Sequence, residues 1–531
     1  MASTMHISGL ASGMDIDKMV SDLMKAERMP LDKLYQKKQI LEWQRDDYRS
    51  MNTLLQDLDN YIFDNLTLQS SMLKKKVTSS DESAVTVTAT STAPNVTNQI
   101  KVNQIATVTT WVSKGQITIN GGGKLDPDAN LNTFTFATGG GSYSFSGLIT
   151  LKLDVDLPDG TSKSGVTVTV DPSQDSLNDV ITKINQTTDL NVSVFYDAAQ
   201  QKMVFSSNKT GSGAHIKLAS DASADAVNFF KALGFTDASS GNEIAQDGAG
   251  RTDGQDAKFT LNGYDMTTKE NTFTINGITY TLKKADPTAT INITTSTDVD
   301  AMFNAIKGFV DKYNEIIGKI NAKISEERYR DYPPLTDEQK QAMTDKQIEL
   351  WEEKAKSGLL RSDPILSGGL SQMRLDVYSK VSGDNINSNY DTLSEIGITT
   401  SSNYLENGKL IIDETKLREA IEKDPNAVFQ LFNANGTDFN TKGIAKRLRD
   451  TIKDTIGKIE QKAGKTIWTN QQFAIGRDLN DINDQIKRFE DHLKEVEDRY
   501  WRQFTAMEEA IQRANQQSMY LMNAFGGGMQ G

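Results

Sequence analysis

Apolar residues recur every seven positions near the start of the chain, at Leu34, Leu41, Tyr48, Leu55 and Ile62. Met51 and Leu58 fill the intermediate positions late in this run, which is the spacing of a coiled-coil seam. Its early half is thin, because Lys37, Lys38, Gln44 and Arg45 stand where the second apolar residue belongs. A helix is therefore predicted over 16–66, with Pro30 separating an upstream amphipathic stretch (Ile16, Met19, Val20, Leu23) from the main seam. Between 77 and 297 the period drops to two. Ala84–Thr90 and Val166–Val170 alternate as half-buried strands do, and Asn276-Gly277 has the turn chemistry of a hairpin that needs positive φ twice. The Gly-rich stretches 121–123 and 139–141 read as loops, and 236–256 as a turn-rich exit from an inserted domain.

From residue 298 the helical period returns. Asn407-Gly408 predicts a second hairpin, and Asp424-Pro425 a helix start, with Asp capping the free amides and Pro in the first turn. The longest pattern is the last. Leu479, Ile482, Ile486, Phe489, Leu493, Val496, Tyr500, Phe504, Met507, Ile511, Ala514, Ser518, Leu521 and Phe525 follow one another in steps of three and four, with one stutter at Val496–Tyr500–Phe504. At 1.5 Å per residue this seam is about 70 Å long, more than one small domain can cover. It calls for the N-terminal helix, other subunits, or both. Asp484, Lys487, Arg488, Glu490, Glu495 and Arg499 flank it and keep such a helix soluble.

The pattern as a whole describes an α+β multidomain chain: long terminal helices forming a coiled-coil-like helical region, with two inserted β-rich domains. The expected division is an N-terminal assembly segment, 1–39, disordered in the monomer; a helical leg domain, 40–75 with 297–480; a β-rich domain, 76–115 with 253–296; an outer β-rich domain inserted at 116–252; and a C-terminal assembly helix and tail, 481–531.

Composition narrows the function classes. The 531 residues suit three or four domains, and 37% apolar content is enough for several cores. A formal net charge of -13, with Lys and Arg spread along the chain, repels phosphate and argues against nucleic acid. There is no cysteine, which excludes disulfide frameworks, thiolate metal sites and cysteine nucleophiles. No run approaches about 18 consecutive apolar residues, so no membrane-inserting helix is expected. The first residues lack a basic stretch followed by an apolar one, so export would use a route without a cleaved leader.

Three apparent motifs read better as structure than as chemistry, with weak calcium binding by the irregular acidic loop at 154–160 left as the alternative there. Gly464-Lys465-Thr466 looks like the end of a phosphate-binding loop, but Ile459 stands where its first glycine is needed. Asp154, Asp156 and Asp159 suggest a calcium loop, yet Asp159 and Gly165 occupy the positions where Gly and Glu are required. His6, His215 and His492 share no ligand spacing. No catalytic, cofactor-binding or metal residue is therefore expected, and no cofactor. The methionines near both ends (Met14, Met19, Met24, Met29; Met507, Met519, Met522, Met529) fit helix seams, which in an assembling protein are also the binding surface.

The opening block Ser8, Gly9, Leu10, Ala11, Ser12, Gly13, Met14 and Asp15, followed by Leu23-Met-Lys-Ala-Glu-Arg-Met-Pro30, closely resembles the N-terminal signature of the flagellar filament-cap family, FliD. Gly254–Gly263, Asn271–Leu282, Gly358–Asp363, Leu393–Ile398, Gly408–Asp413, Leu417, Asp424-Pro425, Val428 and Leu431-Phe432 resemble its C-terminal region. Residues 166–218 resemble a repeat motif of the variable outer region of flagellins and caps. Tyr332–Gln339 and Ile348–Lys354 resemble versions from Gram-positive bacilli. The stretch 116–165 carries no such match.

The resemblance implies a non-enzymatic ring-shaped homo-oligomer at the distal tip of the flagellum, exported through the flagellar type III pathway without a cleaved signal. It would promote folding and insertion of flagellin beneath it and prevent its loss. Flagellin, other hook-associated proteins and a flagellar export chaperone are the implied partners, with no nucleic acid and no membrane insertion. The assembly surface is expected at Leu34, Leu41, Tyr48, Leu55 and Ile62 together with Leu479 through Ile511 of the long seam. Two other readings share features: a hook–filament junction or flagellin-like component, and an adhesin whose Thr-rich β surface binds host glycan or mucin.

Overall fold

The structure, a computed structural model, describes residues 13–248 and 250–526. Its helices, in chain order, are α1 (Ile16–Ile62), α2 (Gln69–Met72), α3 (Leu177–Gln186), α4 (Ala224–Ala232), α5 (Val299–Ser325), α6 (Asp337–Gln341), α7 (Asp345–Lys356), α8 (Pro364–Tyr378), α9 (Glu414–Lys423), α10 (Pro425–Asn433), α11 (Ile444–Ala463) and α12 (Ala474–Gly526). They divide between two compact units. One is formed by the two ends of the chain, up to Met72 and from Val299, and the other by Leu73–Asp298.

In the terminal unit, α1 spans 47 residues without a break. Pro30 lies inside it, so the separation expected there does not occur. A proline removes one helical hydrogen bond and crowds the preceding turn, at a cost of about 3 kcal/mol. Packing on both sides keeps the axis continuous: Val20 and Leu31 are both buried. Of the segment 1–39, Ile16–Gln39 belong to α1, with Ile16, Val20 and Leu31 buried. Residues 1–12 lie outside the described region.

The start of α1 explains part of the N-terminal block. Gly13 has φ 71°, a conformation side chains disfavour, and Asp15 caps the helix by accepting from the Lys18 amide at 2.9 Å. At the other end α1 passes into a π-helical turn, Phe63–Thr67, where the buried Asn433 side chain donates to the Leu66 carbonyl. Opposite the second half of α1, α5 buries Met302, Phe303, Ile306, Phe309, Val310, Tyr313, Ile316, Ile317 and Ile320, a stripe at helical spacing. Close approach of α8 to α11 depends on Gly369, where a Cβ would lie 2.7 Å from the Thr455 hydroxyl. The Asn407-Gly408 hairpin and the Asp424-Pro425 cap form as their residues predict: Asn407 and Gly408 have φ 54° and 86°, and Asp424 accepts from the Ala427 amide.

The β unit has two cores. The first lies between a five-stranded antiparallel sheet, ordered Lys75–Ser79, Asp286–Thr297, Val96–Gln104, Ala257–Leu261, Tyr264–Thr268, and a three-stranded one of Thr272–Ile275, Ile278–Leu282 and Val85–Ala89. Ile100, Phe259, Tyr280 and Ile293 fill it. Asn276 and Gly277 turn with φ 49° and 76°, and Asn262 and Gly263 make the same turn at 51° and 83°. The second core, around Trp111, Phe136, Phe205 and Phe229, is closed by α3, α4 and two further sheets.

The boundary between these cores differs from the expected one. Val108–Val112 was expected in the first β domain but pairs with Lys202–Thr210 and with Arg251–Thr252, so it belongs to the second core. Its Trp111 is buried among that core's side chains, which fixes its place more strongly than chain order does. The chain crosses into and out of this body at one place. The Thr107 amide donates to the Gln255 carbonyl at 2.9 Å, and the Gln255 amide to the Thr107 hydroxyl at 3.0 Å. Deleting 108–254 and joining Thr107 to Gln255 through a short linker is expected to leave a soluble chain with both remaining cores folded, as inserted bodies carry their own core. Circular dichroism and a cooperative thermal transition check this, and an insoluble product would overturn the division.

Candidate functional site

The two long seams meet each other. Leu31, Ile482, Ile486 and Leu493 form a buried cluster, with Met24, Leu34, Leu41 and Phe489 packed half-buried against it. The helices run antiparallel: Tyr500 donates to Glu27 at 2.9 Å, and Tyr35 to Glu490 at 2.6 Å. Each bond to a carboxylate holds its tyrosine protonated and raises its pKa. The accepting carboxylates, Glu27 and Glu490, lie beside the apolar stripe and give no periodic signal, so the hydrophobic pattern does not reveal the clasps.

The expected assembly residues separate into three groups. Tyr48, Leu55 and Ile62 are core of the chain's own helical unit. Tyr48 is further tied down by donating to Asp363, the residue that caps α8, and burial with that bond pushes its pKa up. Leu479, Ile482, Ile486, Leu493 and Val496 are buried within the chain as well. From Tyr500 onward cover is lost in stages. Tyr500, Phe504, Met507 and Ile511 are half-buried, and Ala514 and Ser518 are exposed. Met519, Tyr520, Leu521 and Met522 then expose 53% to 76% of their surface. Helix α12 has 53 residues, about 80 Å, and begins at Ala474, ahead of the 481 expected for the C-terminal assembly helix. Its first half is thus a structural element of the chain, and its second half an apolar surface left open among the described residues. Of the N-terminal block, Gly13, Met14 and Asp15 are described; Ser8, Gly9, Leu10, Ala11 and Ser12 lie outside the described residues.

The motifs set aside have structural roles. Gly464, φ 69°, ends α11; Lys465 pairs with Glu460 at 3.2 Å and sits 5.7 Å from the Trp468 ring. In the acidic turn, Asp154 accepts from the Gly165 amide, Asp156 pairs with Lys217 at 2.9 Å, and Lys209 holds Asp159 well below the usual carboxylate range. His215 lies 2.6 Å from Glu243, which also accepts from the buried Trp111 indole at 3.2 Å. His492 meets the edge of Phe489. Among the described residues no group of three or more His, Cys, Asp or Glu is placed to hold a metal ion, and no helix is long and apolar enough to cross a membrane.

Comparison with known proteins agrees with this architecture. Family models described as the N-terminus and the C-terminus of flagellar hook-associated protein 2 match residues 12–109 and 254–516. The chain is 34% identical to flagellar hook-associated protein 2 of Halalkalibacterium halodurans, across 98% of this chain and all of that one. It is 25% identical to the protein of the same name from Thermotoga maritima, over 98% and 96% of the two chains. Among solved structures, the D1-D2-D3 domains of the flagellar cap protein FliD from Escherichia coli superpose with a TM-score of 0.54 at 19% identity, covering 82% of this chain and 99% of that one. The stretch between the two family matches, 110–253, coincides with the inserted β body. With the paired terminal helices, the β bodies between them and a full-length relative above 30% identity, the chain belongs to the flagellar hook-associated protein 2 family, the flagellar cap proteins known as FliD.

Proposed function

We propose that this chain caps the distal end of the bacterial flagellar filament, assembling with copies of itself into a ring that promotes the folding and insertion of exported flagellin and prevents its loss. The observation that carries this reading is the two-part character of α12. Its stripe is covered by α1 through Val496 and stands open from Met519 to Met522. An open apolar helix end of this kind suits a segment that packs on neighbours in an assembly. Flagellin and the other hook-associated proteins are the neighbours a tip cap meets, and an export chaperone would cover the open end before export through the flagellar type III pathway.

Replacing Leu521 and Met522 with Asp tests the reading. Both side chains are exposed in the free chain, so its thermal transition is expected to stay within a degree or two of the parent. In a strain lacking the native gene, the variant is expected to leave cells with short filaments, poor motility and flagellin in the medium. Labelled-antibody electron microscopy of filament tips locates the parent protein. Wild-type motility and flagellin retention in the variant would sink the role given to this helix end.

A further inference from the structure

We infer that neighbouring copies of this chain lock together through the turn after α11, whose tip residue Ile467 inserts beside Leu405 in a groove on the next copy. This rests on the self-assembly reading above and names a contact for it in the helical unit, away from the long seam. The turn closes with the Trp468 amide donating to the Lys465 carbonyl at 3.1 Å. It carries Ile467 at its apex with 88% of its surface exposed. A β-branched apolar residue at the tip of a tight turn does nothing for the fold of the free chain, since it buries almost nothing there.

The receiving groove, about 470 Å³, lies between α5 and the hairpin turn before Leu410. Leu405, 68% exposed, stands at one wall, and Ile317, Gly318 and Ala322 of α5 form the floor. A Cβ added at Gly318 would meet nothing within 4 Å, so that floor is open. The wall is rigid. The Asn314 side chain exchanges two hydrogen bonds with Leu410, at 2.8 and 2.7 Å, and Arg374 donates to the Asn407 carbonyl at 2.8 Å. Glu406 and Lys409 balance each other at the rim, 3.8 Å apart, which leaves the apolar contact to decide the fit.

Placement identifies a second copy as the occupant. Lys323, at the groove end of α5, bonds Asp47 of α1 at 2.9 Å. Arg49 of α1 donates to the carbonyls of Ala463, Gly464 and Lys465 at 3.1 to 3.2 Å, at the base of the Ile467 turn. Two residues along an α-helix are turned by about 200° and displaced by about 3 Å. Groove and tip therefore flank α1 on opposite sides at the same level. A protrusion on one flank and a recess on the other give a head-to-tail contact, the kind that closes into a ring when the rotation per subunit allows.

The natural chain has no cysteine, so the introduced thiols are the only ones it carries, and the single variants control for pairing of like sites. The full-length chain carrying Leu405→Cys and Ile467→Cys is placed in a strain lacking the native gene. Flagellated cells are oxidised with copper phenanthroline and the products run on a non-reducing gel. A ladder of covalent multimers is expected from the double variant and from neither single variant. In the purified full chain, Ile467→Asp is expected to keep the parent's melting temperature while lowering the assembly mass measured by light scattering. Motile cells bearing the double variant without a ladder would overturn the contact and leave the cap reading standing. So would an unchanged assembly mass for Ile467→Asp, or a parent chain that stays monomeric at every concentration. Failure of the unsubstituted chain to restore motility, by contrast, counts against the cap reading itself.

Discussion

A chain carrying Leu493→Asp and Val496→Asp is expected to remain soluble, to lose the pairing of its terminal helices, and to restore neither motility nor flagellin retention. Leu493 is part of the buried cluster with Leu31, Ile482 and Ile486, and Val496 is buried one turn further along α12. A carboxylate at either place must be protonated or drag water into the seam, at a cost of several kcal/mol per site, about 3 each. The antiparallel clasps Tyr35–Glu490 and Tyr500–Glu27 lie at the surface and are together too weak to hold the helices against that. The β unit, Leu73–Asp298, has its own cores and should keep its own transition. Calorimetry would show the helical transition moved down or lost and the β transition kept. The same strain gives motility and flagellin release. Wild-type levels of both from the double variant would mean that the α1–α12 seam has no part in capping.

Asp59→Ala is expected to destabilise the helical unit by about 3–5 kcal/mol, the usual cost of leaving one partner of a buried ion pair uncompensated. Asp59 is 6% exposed and accepts both bonds of a fork from Arg449 of α11, at 2.7 and 3.2 Å. Arg449 also lies 4.6 Å from the Phe63 ring centre. With the carboxylate gone, its guanidinium is left charged and largely enclosed. Combining Asp59→Ala with Arg449→Met should recover most of the loss, because a long apolar side chain of similar reach fills the same space without a charge. Urea unfolding of the two single variants and the double variant closes the cycle. A coupling near zero would show that solvent reaches the pair and screens it.

The periodic parts of this chain were legible because burial leaves a mark at fixed spacing. The heptad at Leu55 and Ile62, the stripe from Leu479 to Val496 and the alternation at Val85–Ala89 all became buried or half-buried surface. Turn chemistry was equally direct at Asn276-Gly277 and Asn407-Gly408. Asn262-Gly263 carries the same signal and makes the same turn. What stayed hidden has no period. Asp59 and Asn433 are buried and Arg449 half-buried by partners hundreds of positions away, and no local rule distinguishes them from surface polar residues. The expected break at Pro30 failed for a related reason. Propensity counts the bond a proline removes, but not the neighbouring helix that holds the axis on both sides of it.

By itself, the sequence determined the class of this protein: helical ends with β bodies between them, no cysteine chemistry, a terminal stripe too long for one core, and an opening block that points to the flagellar caps. Those are properties of spacing and residue type, and they survive any arrangement of the elements. Only the tertiary structure decided how the long stripe is shared. Through Val496 it is buried within the same chain, from Tyr500 to Ile511 it is half-covered, and the helix end at Met519–Met522 stands open. A periodic pattern states that a face must be covered but not by what, because the free energy of burying Leu493 is the same against Leu31 of its own chain as against a neighbour's. Which partner wins depends on where α1 runs, and that is set by the ion pair at Asp59, the Tyr48 bond to Asp363 and the turn of backbone around Leu66, contacts that exist only once the chain has folded.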